Sequence, residues 1–153
     1  MSTKFEKFLN DVSGKTVSVI GMGVSNTPLI RLLLNAGSIV TIRDKAEFAE
    51  LPKVAEEFKA QGATFICGEK YLDDINDEII FRSPGIHPDR PEIRAACSRG
   101  SILTSEMEIF FKVCPAKTIG ITGSDGKTTT TTITYEMLRR ENPQNTFVGG
   151  NIG

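Results

Sequence analysis

Short β-like runs alternate with longer helix-like ones along most of the chain. Thr16–Ile20 (TVSVI) reads as a first strand, followed by a glycine-containing loop. Pro28–Ala36 carries Leu29, Ile30, Leu32, Leu33 and Leu34, which predicts a buried helix with Gly37 placed to end it. Pro28 suits the first turn, where its missing N–H has no partner to lose. Ile39–Ile42 reads as a second strand. Pro52–Ala60 reads as a helix with Val54, Ala55 and Phe58 on one side. Thr64–Ile66 and Glu78–Phe81 read as the third and fourth strands, Pro91–Ser98 as a helix and Ser101–Thr104 as the fifth strand. This rhythm predicts an α/β fold: a parallel, Rossmann-like sheet with helices on its faces and right-handed crossovers. Gly68–Asp77 is short and acidic, with room for no more than a turn of helix.

Beyond the fifth strand the pattern closes and restarts. Ser105 and Glu108 have the S-x-x-E spacing of a capping box, which predicts a helix over Ser105–Cys114, stopped by Pro115. Thr118–Ile121 then reads as a strand, Lys127–Arg140 as a helix after a glycine-rich loop, and Asn145–Val148 as a short strand. Residues 1–114 are thus expected to form one domain. Residues 115–153 are too few for an independent core and read as the incomplete opening of a second. Their apolar positions, Ile133 and Met137 among them, lack neighbours. Such a segment is expected to be poorly ordered or to find cover in a dimer.

Composition narrows the function classes. The chain has 153 residues, 39% hydrophobic and 24% charged, enough for a core and unlike a disordered chain. Eighteen basic and nineteen acidic residues give a net charge of −1, with no surplus for general nucleic-acid binding. No apolar run is long enough to span a membrane, and the N-terminal stretch lacks the apolar segment of a secretory signal, so a cytoplasmic protein is expected. Cys67, Cys97 and Cys114 are widely spaced and His87 is the sole histidine. That argues against a zinc site or disulfide framework and for buried, reduced thiols. No base–nucleophile signature supports pairing any of them with His87.

The chemistry concentrates in loops that follow strands. Gly120–Thr129 (GITGSDGKTT) lies between a predicted strand and a predicted helix, the setting of a phosphate loop. Amides around Gly123, Ser124, Asp125 and Gly126 can converge on phosphate oxygens. Lys127 can meet the β/γ-phosphates, and the Thr128 hydroxyl can coordinate Mg²⁺. The usual spacing G-x-x-x-x-G-K-[ST] is not met strictly, because the first glycine is Gly120 rather than residue 121. Thr128 to Thr132 put consecutive β-branched residues at a helix start, against intrinsic propensity. The function is expected at Thr128 and Thr129, and plain back-bonding to helix carbonyls at the later threonines.

Gly21-Met22-Gly23-Val24-Ser25-Asn26 follows the first strand and gives G-x-G-x-x-N, without the third glycine of the dinucleotide fingerprint. Asp44, at the end of the second strand, is placed to meet a ribose or base. Ser83-Pro84-Gly85 follows the fourth strand and belongs on the same rim, where parallel sheets bind ligands. Glu106 and Glu108 read as capping and solvated residues, and His87 as a loop residue. Two general readings stay open on these motifs alone: a dinucleotide-binding oxidoreductase domain, which would leave the second loop unused, and a non-catalytic nucleotide-binding module.

Taken together and in order, the motifs resemble those of the Mur ligases, in particular the branch that adds D-glutamate. Ile20–Val24 (IGMGV), Ser83–Ile86 (SPGI), Ser105–Glu108 (SEME), Gly120–Thr128 (GITGSDGKT) and Gly149–Gly153 (GGNIG) carry the resemblance, which runs through nearly the whole chain. The sequence departs from the family's usual glycine at Asn26 and usual asparagine at Asp125. The resemblance implies a nucleotide-sugar domain followed by the start of a P-loop ATPase domain. It implies an ATP-dependent ligase of peptidoglycan precursor synthesis that joins D-glutamate to UDP-N-acetylmuramoyl-L-alanine through an acyl phosphate. Under it, Val24, Ser25, Asn26, Asp44, Lys45, Ser83 and Gly85 would cradle the UDP part, with Asn151 reaching the same ligand. Lys127 would be catalytic, Gly123 to Thr129 would hold ATP, and Thr128 would help hold Mg²⁺. The remaining machinery would lie past Gly153, so this stretch alone is expected to be inactive.

Overall fold

The computed structural model describes residues 3–150. The chain divides into two compact units, Met1–Pro115 and Ala116–Gly153.

The first unit begins with helix α1, Lys4–Val12, and continues β1 Thr16–Ile20, α2 Asn26–Asn35, β2 Ile39–Asp44, α3 Val54–Ala60, β3 Thr64–Cys67, β4 Ile79–Arg82, α4 Pro91–Ser98, β5 Ile102–Thr104 and α5 Glu106–Val113. The strands form one sheet in the order β3-β2-β1-β4-β5, every pair parallel. The chain winds outward through β2 and β3, then returns to the other side of β1 for β4 and β5. Right-handed crossovers therefore place the two sets of connections on opposite faces.

The period-2 alternation of strand side chains feeds two cores. Val17, Val19, Val40, Ile42 and Phe81 pack on one face with Val12 of α1, Leu29, Ile30 and Leu33 of α2, and Ala55 and Phe58 of α3. Ile20 and Ile80 pack on the other with Tyr71, Leu72 and Ile75 of the β3–β4 crossover and Ile93 and Ala96 of α4. Each large side chain among these contributes about 1.5–3 kcal/mol by leaving water.

One charged group sits within the second face. Arg43 of β2 is 3% exposed. Its Nε donates to Ser18 Oγ at 2.8 Å. Nη1 donates to the carbonyls of Tyr71 and Asp73, and Nη2 reaches Asp74 O at 3.4 Å and Asp77 Oδ2 at 3.6 Å. Ser18 in turn donates to Asp77. Burial pulls the guanidinium below its ordinary pKa, while Asp77, then Asp74 and Asp73, oppose that shift. The crossover needs this anchor because residues 68–77 form turns rather than a helix.

Other differences from the sequence expectation have identifiable causes. Helix α1 was not anticipated, although Thr3 and Glu6 form a complete capping box: Thr3 Oγ1 accepts from Glu6 N at 3.1 Å and Glu6 Oε2 from Thr3 N at 2.7 Å. At α5, Ser105 caps as expected, accepting from Glu108 N at 3.3 Å. The return half of that box is absent, because the Glu108 carboxylate instead accepts from Thr104 Oγ1 at 2.9 Å. The helix expected from Pro52 begins at Val54, preceded by a 3₁₀ turn at Phe48–Glu50. The thiols expected to be buried are half-buried, and none is in a disulfide.

In the second unit the described structure is one helix, α6, Lys127–Glu141, with no buried residue. Neither Thr118–Ile121 nor Asn145–Val148 is a strand, contrary to expectation. A strand is defined by its ladder partner, and no described residue of this unit supplies one. Ile133 and Met137 of α6 are 56% and 66% exposed.

Candidate functional site

In a sheet of this order, the switch point lies between β1 and β4, and ligands bind outside the carboxyl ends of the strands there. The chain brings the β1 loop and the β4 loop together at that point. Gly21 has φ +88°, and a Cβ on it would stand 2.8 Å from Ser83 Oγ, so only glycine fits. Ser83 N donates to Ile20 O at 3.1 Å, and Gly21 N donates to Arg43 O at 2.7 Å. Met22, buried among the apolar residues of the first core, anchors the middle of the loop.

Past this anchor the backbone turns outward. Gly23, Val24 and Ser25 are exposed, Val24 at 94%. Among the described residues their amides donate to no protein acceptor, whereas the next two, Asn26 N and Thr27 N, both donate to Gly23 O. The loop therefore presents unpaired donors at the start of α2, where the helix dipole adds positive potential. The Ser25, Ser83 and Lys45 side chains also have no hydrogen-bond or ionic partner among the described residues. Gly85 is exposed on the adjoining loop.

Two residues expected at the ligand are engaged elsewhere. Asp44 Oδ2 accepts from Met22 N at 2.7 Å and Oδ1 from Ala46 N at 2.9 Å. The Asn26 side chain is buried, and Nδ2 donates to Gly21 O at 2.8 Å and Ile20 O at 3.4 Å. Asn151 lies outside the described residues. Sequence reasoning missed Met22 as a core anchor, because its burial depends on which side of the loop the fold covers.

Cys67 ends β3, paired in register with Asp44. Burial raises its pKa, and the carboxylates of Asp44 and Glu47 raise it further. That makes it a poor nucleophile at neutral pH. His87 is an exposed loop residue whose Nδ1 accepts from Asp89 N at 3.3 Å. No group of three or more His, Cys, Asp or Glu side chains could hold a metal ion among the described residues. No described helix is long and apolar enough to cross a membrane.

The second unit holds the other glycine loop. Gly126 has φ +72°, a left-handed position at the mouth of α6. Lys127 folds back, its Nζ donating to Gly123 O at 2.6 Å and Ser124 O at 2.9 Å. The amides of Ser124, Asp125 and Gly126 donate to no acceptor among the described residues. Unpaired amides beside an ammonium fit a bound polyphosphate. Thr132 Oγ1 donates back to Thr128 O at 2.9 Å, while the hydroxyls of Thr128 and Thr129 stay without partners among the described residues.

Residues 15–105, the span that includes the whole sheet, match the family model for the N-terminal domain of MurD-like Mur ligases. The chain belongs to that family. All of this MurD-like chain aligns with the UDP-N-acetylmuramoylalanine–D-glutamate ligase of Clostridium botulinum (strain Okra / Type B1), at 49% identity, and covers 33% of that relative. The ligase of the same name from Acetivibrio thermocellus is 46% identical over the same span, again 33% of its length. The chain thus spans about a third of the curated relatives it matches. A solved murein peptide ligase, Mpl from Psychrobacter arcticus 273-4, shares the fold with a TM-score of 0.54 at 19% identity, over 84% of this chain and 27% of that one.

Proposed function

We propose that this MurD-like chain supplies the nucleotide-binding part of an ATP-dependent ligase. That ligase joins D-glutamate to UDP-N-acetylmuramoyl-L-alanine in peptidoglycan precursor synthesis. The observation that carries the reading is the rim at the β1/β4 switch point, with unpaired amides at Gly23–Ser25 and hydroxyls at Ser25 and Ser83 that have no partner among the described residues. A diphosphate needs such donors at a helix start. The names of the relatives support the identity of the substrates.

In this reading Val24, Ser25, Lys45, Ser83 and Gly85 line the uridine-diphosphate end of the substrate. The exposed Val24 side chain offers an apolar surface to a base or sugar, and Lys45 offers charge. Gly123–Thr129 hold ATP, which supplies the phosphoryl group that activates the substrate carboxylate for attack by the D-glutamate amine. Lys127 exchanges its loop carbonyls for phosphate oxygens and neutralises charge that builds on the transferring group. The free Thr128 hydroxyl is the Mg²⁺ ligand this stretch can offer. The rest of the reaction machinery is assigned to other parts of the protein, and this chain alone has no turnover.

Calorimetry tests the nucleotide assignment. UDP should bind the chain and compete with UDP-N-acetylmuramoyl-L-alanine, while NAD gives no heat. Binding of NAD without UDP would overturn the assignment in favour of an oxidoreductase domain.

A further inference from the structure

A single peptide group in the β1 loop is held at both of its polar atoms by side chains from two different elements. The carbonyl of Gly21 accepts from Asn26 Nδ2 at 2.8 Å, and the N–H of Met22, the other half of the same peptide, donates to Asp44 Oδ2 at 2.7 Å. Asn26 is in the first turn of α2 and Asp44 ends β2. We infer that Asn26 and Asp44 are positioning residues that clamp the Gly21–Met22 peptide and thereby aim the Gly23–Ser25 amides at the nucleotide.

The chemistry of each side chain fits the clamp. Peptide planes are rigid, so fixing both polar atoms of one plane leaves no rotation about it. Gly21, at φ +88°, has the backbone freedom that would otherwise let this plane turn over. Asp44 spends each carboxylate oxygen on a different amide, Met22 N and Ala46 N, so it ties the β1 loop to the β2 loop as well. Asn26 is 2% exposed and its amide points at the end of β1, away from the rim. At the position where a dinucleotide fingerprint has its third glycine, this chain has a buried donor.

The inference rests on the nucleotide-binding reading for its consequence and stands apart from it in its geometry. Asn26→Asp and Asp44→Ala test it, since the first exchanges a donor for an acceptor and the second removes the acceptor. Asn26→Asp sets a carboxylate against two carbonyl oxygens. Asp44→Ala leaves two N–H donors without their acceptor. The variants and wild type are compared by amide hydrogen exchange at Met22, UDP affinity by calorimetry, and thermal midpoint. We expect slow Met22 exchange in wild type and fast exchange in Asp44→Ala. UDP affinity should fall about tenfold or more in either variant, with the melting transition still cooperative. The double variant should lose less than the product of the single losses, because one broken contact already frees the peptide. Fast Met22 exchange with UDP affinity unchanged would overturn the positioning role. Slow Met22 exchange in Asp44→Ala would overturn the clamp itself. If wild type fails to bind UDP, the functional reading falls, and Met22 exchange still decides the clamp. If one variant does not fold, the other decides.

Discussion

Lys127 is the clearest case of a residue in a waiting posture. Its ammonium satisfies two carbonyls of its own loop, contacts that hold the loop together yet are replaceable by phosphate oxygens. In the proposed ligase, Lys127→Ala should lower kcat by roughly 10²–10³, the typical loss of one group that stabilises developing charge, and leave the melting transition in place. Steady-state kinetics within a few-fold of wild type would count against the phosphate-loop assignment. Cys67 gives a residue-scale prediction in pH. Burial first, then Asp44 and Glu47, raise its pKa, so the folded state holds the thiol proton more tightly than the unfolded chain. Its contribution to stability is fully present below the unfolded thiol's pKa of about 8.5. It is lost as the pH rises from there through the folded value. Urea midpoints should therefore fall more steeply above about pH 8.5 in wild type than in Cys67→Ser. Parallel slopes would contradict the assignment of the shift.

At the scale of elements, α5 depends on its first turn. Ser105 accepts from Glu108 N, and Ile109 packs against the first core. Ser105→Ala should cost about 1 kcal/mol in urea unfolding. Glu108→Gln should cost less, since its carboxylate serves Thr104 rather than the cap. This cap was legible in the sequence because S-x-x-E is a local signal, and so was Pro91–Ser98, whose proline start fits one geometry. The T-x-x-E of Thr3 and Glu6 is the same signal, set in a polar stretch whose helical period is harder to read. Thr118–Ile121 has the composition of a strand and is not one, for a different reason. Strand-like composition is local, but a ladder partner lies far away in sequence. The rim shows the same division. Glycine loops after strands were legible as the two turns that the fold brings together, whereas the inward turn of Asn26 and the double duty of Asp44 depend on which neighbour the fold brings to each side chain.

For the whole molecule, stability is concentrated in one unit. Both apolar cores lie within residues 1–115, while α6 buries none of its side chains. Backbone amides over residues 127–141 should exchange orders of magnitude faster than those of β1 and β2, since local opening there exposes little new apolar surface. Residues 1–115 expressed alone should unfold cooperatively and retain UDP binding. Equal protection across β1, β2 and α6 in the 153-residue chain would show that α6 has cover, and a concentration-dependent gain in protection would trace that cover to a second copy of the chain.

The buried guanidinium of Arg43 carries a consequence for the order in which the molecule assembles. It sits on β2, but its carbonyl acceptors belong to Tyr71, Asp73 and Asp74, and its counter-charge to Asp77. A charge cannot leave water before its partners are ready to replace it. The β1–β2 pair, with the apolar face covered by α2, can form before residues 71–77 arrive; sealing the crossover over Arg43 is then a late event on the folding route. Interactions made after the transition state govern unfolding and barely touch the forward rate. Arg43→Lys loses the planar fork while keeping the charge. Stopped-flow chevrons should show its unfolding limb raised several-fold and its refolding limb almost superimposed on wild type. A slowed refolding limb would instead put the crossover in the nucleus.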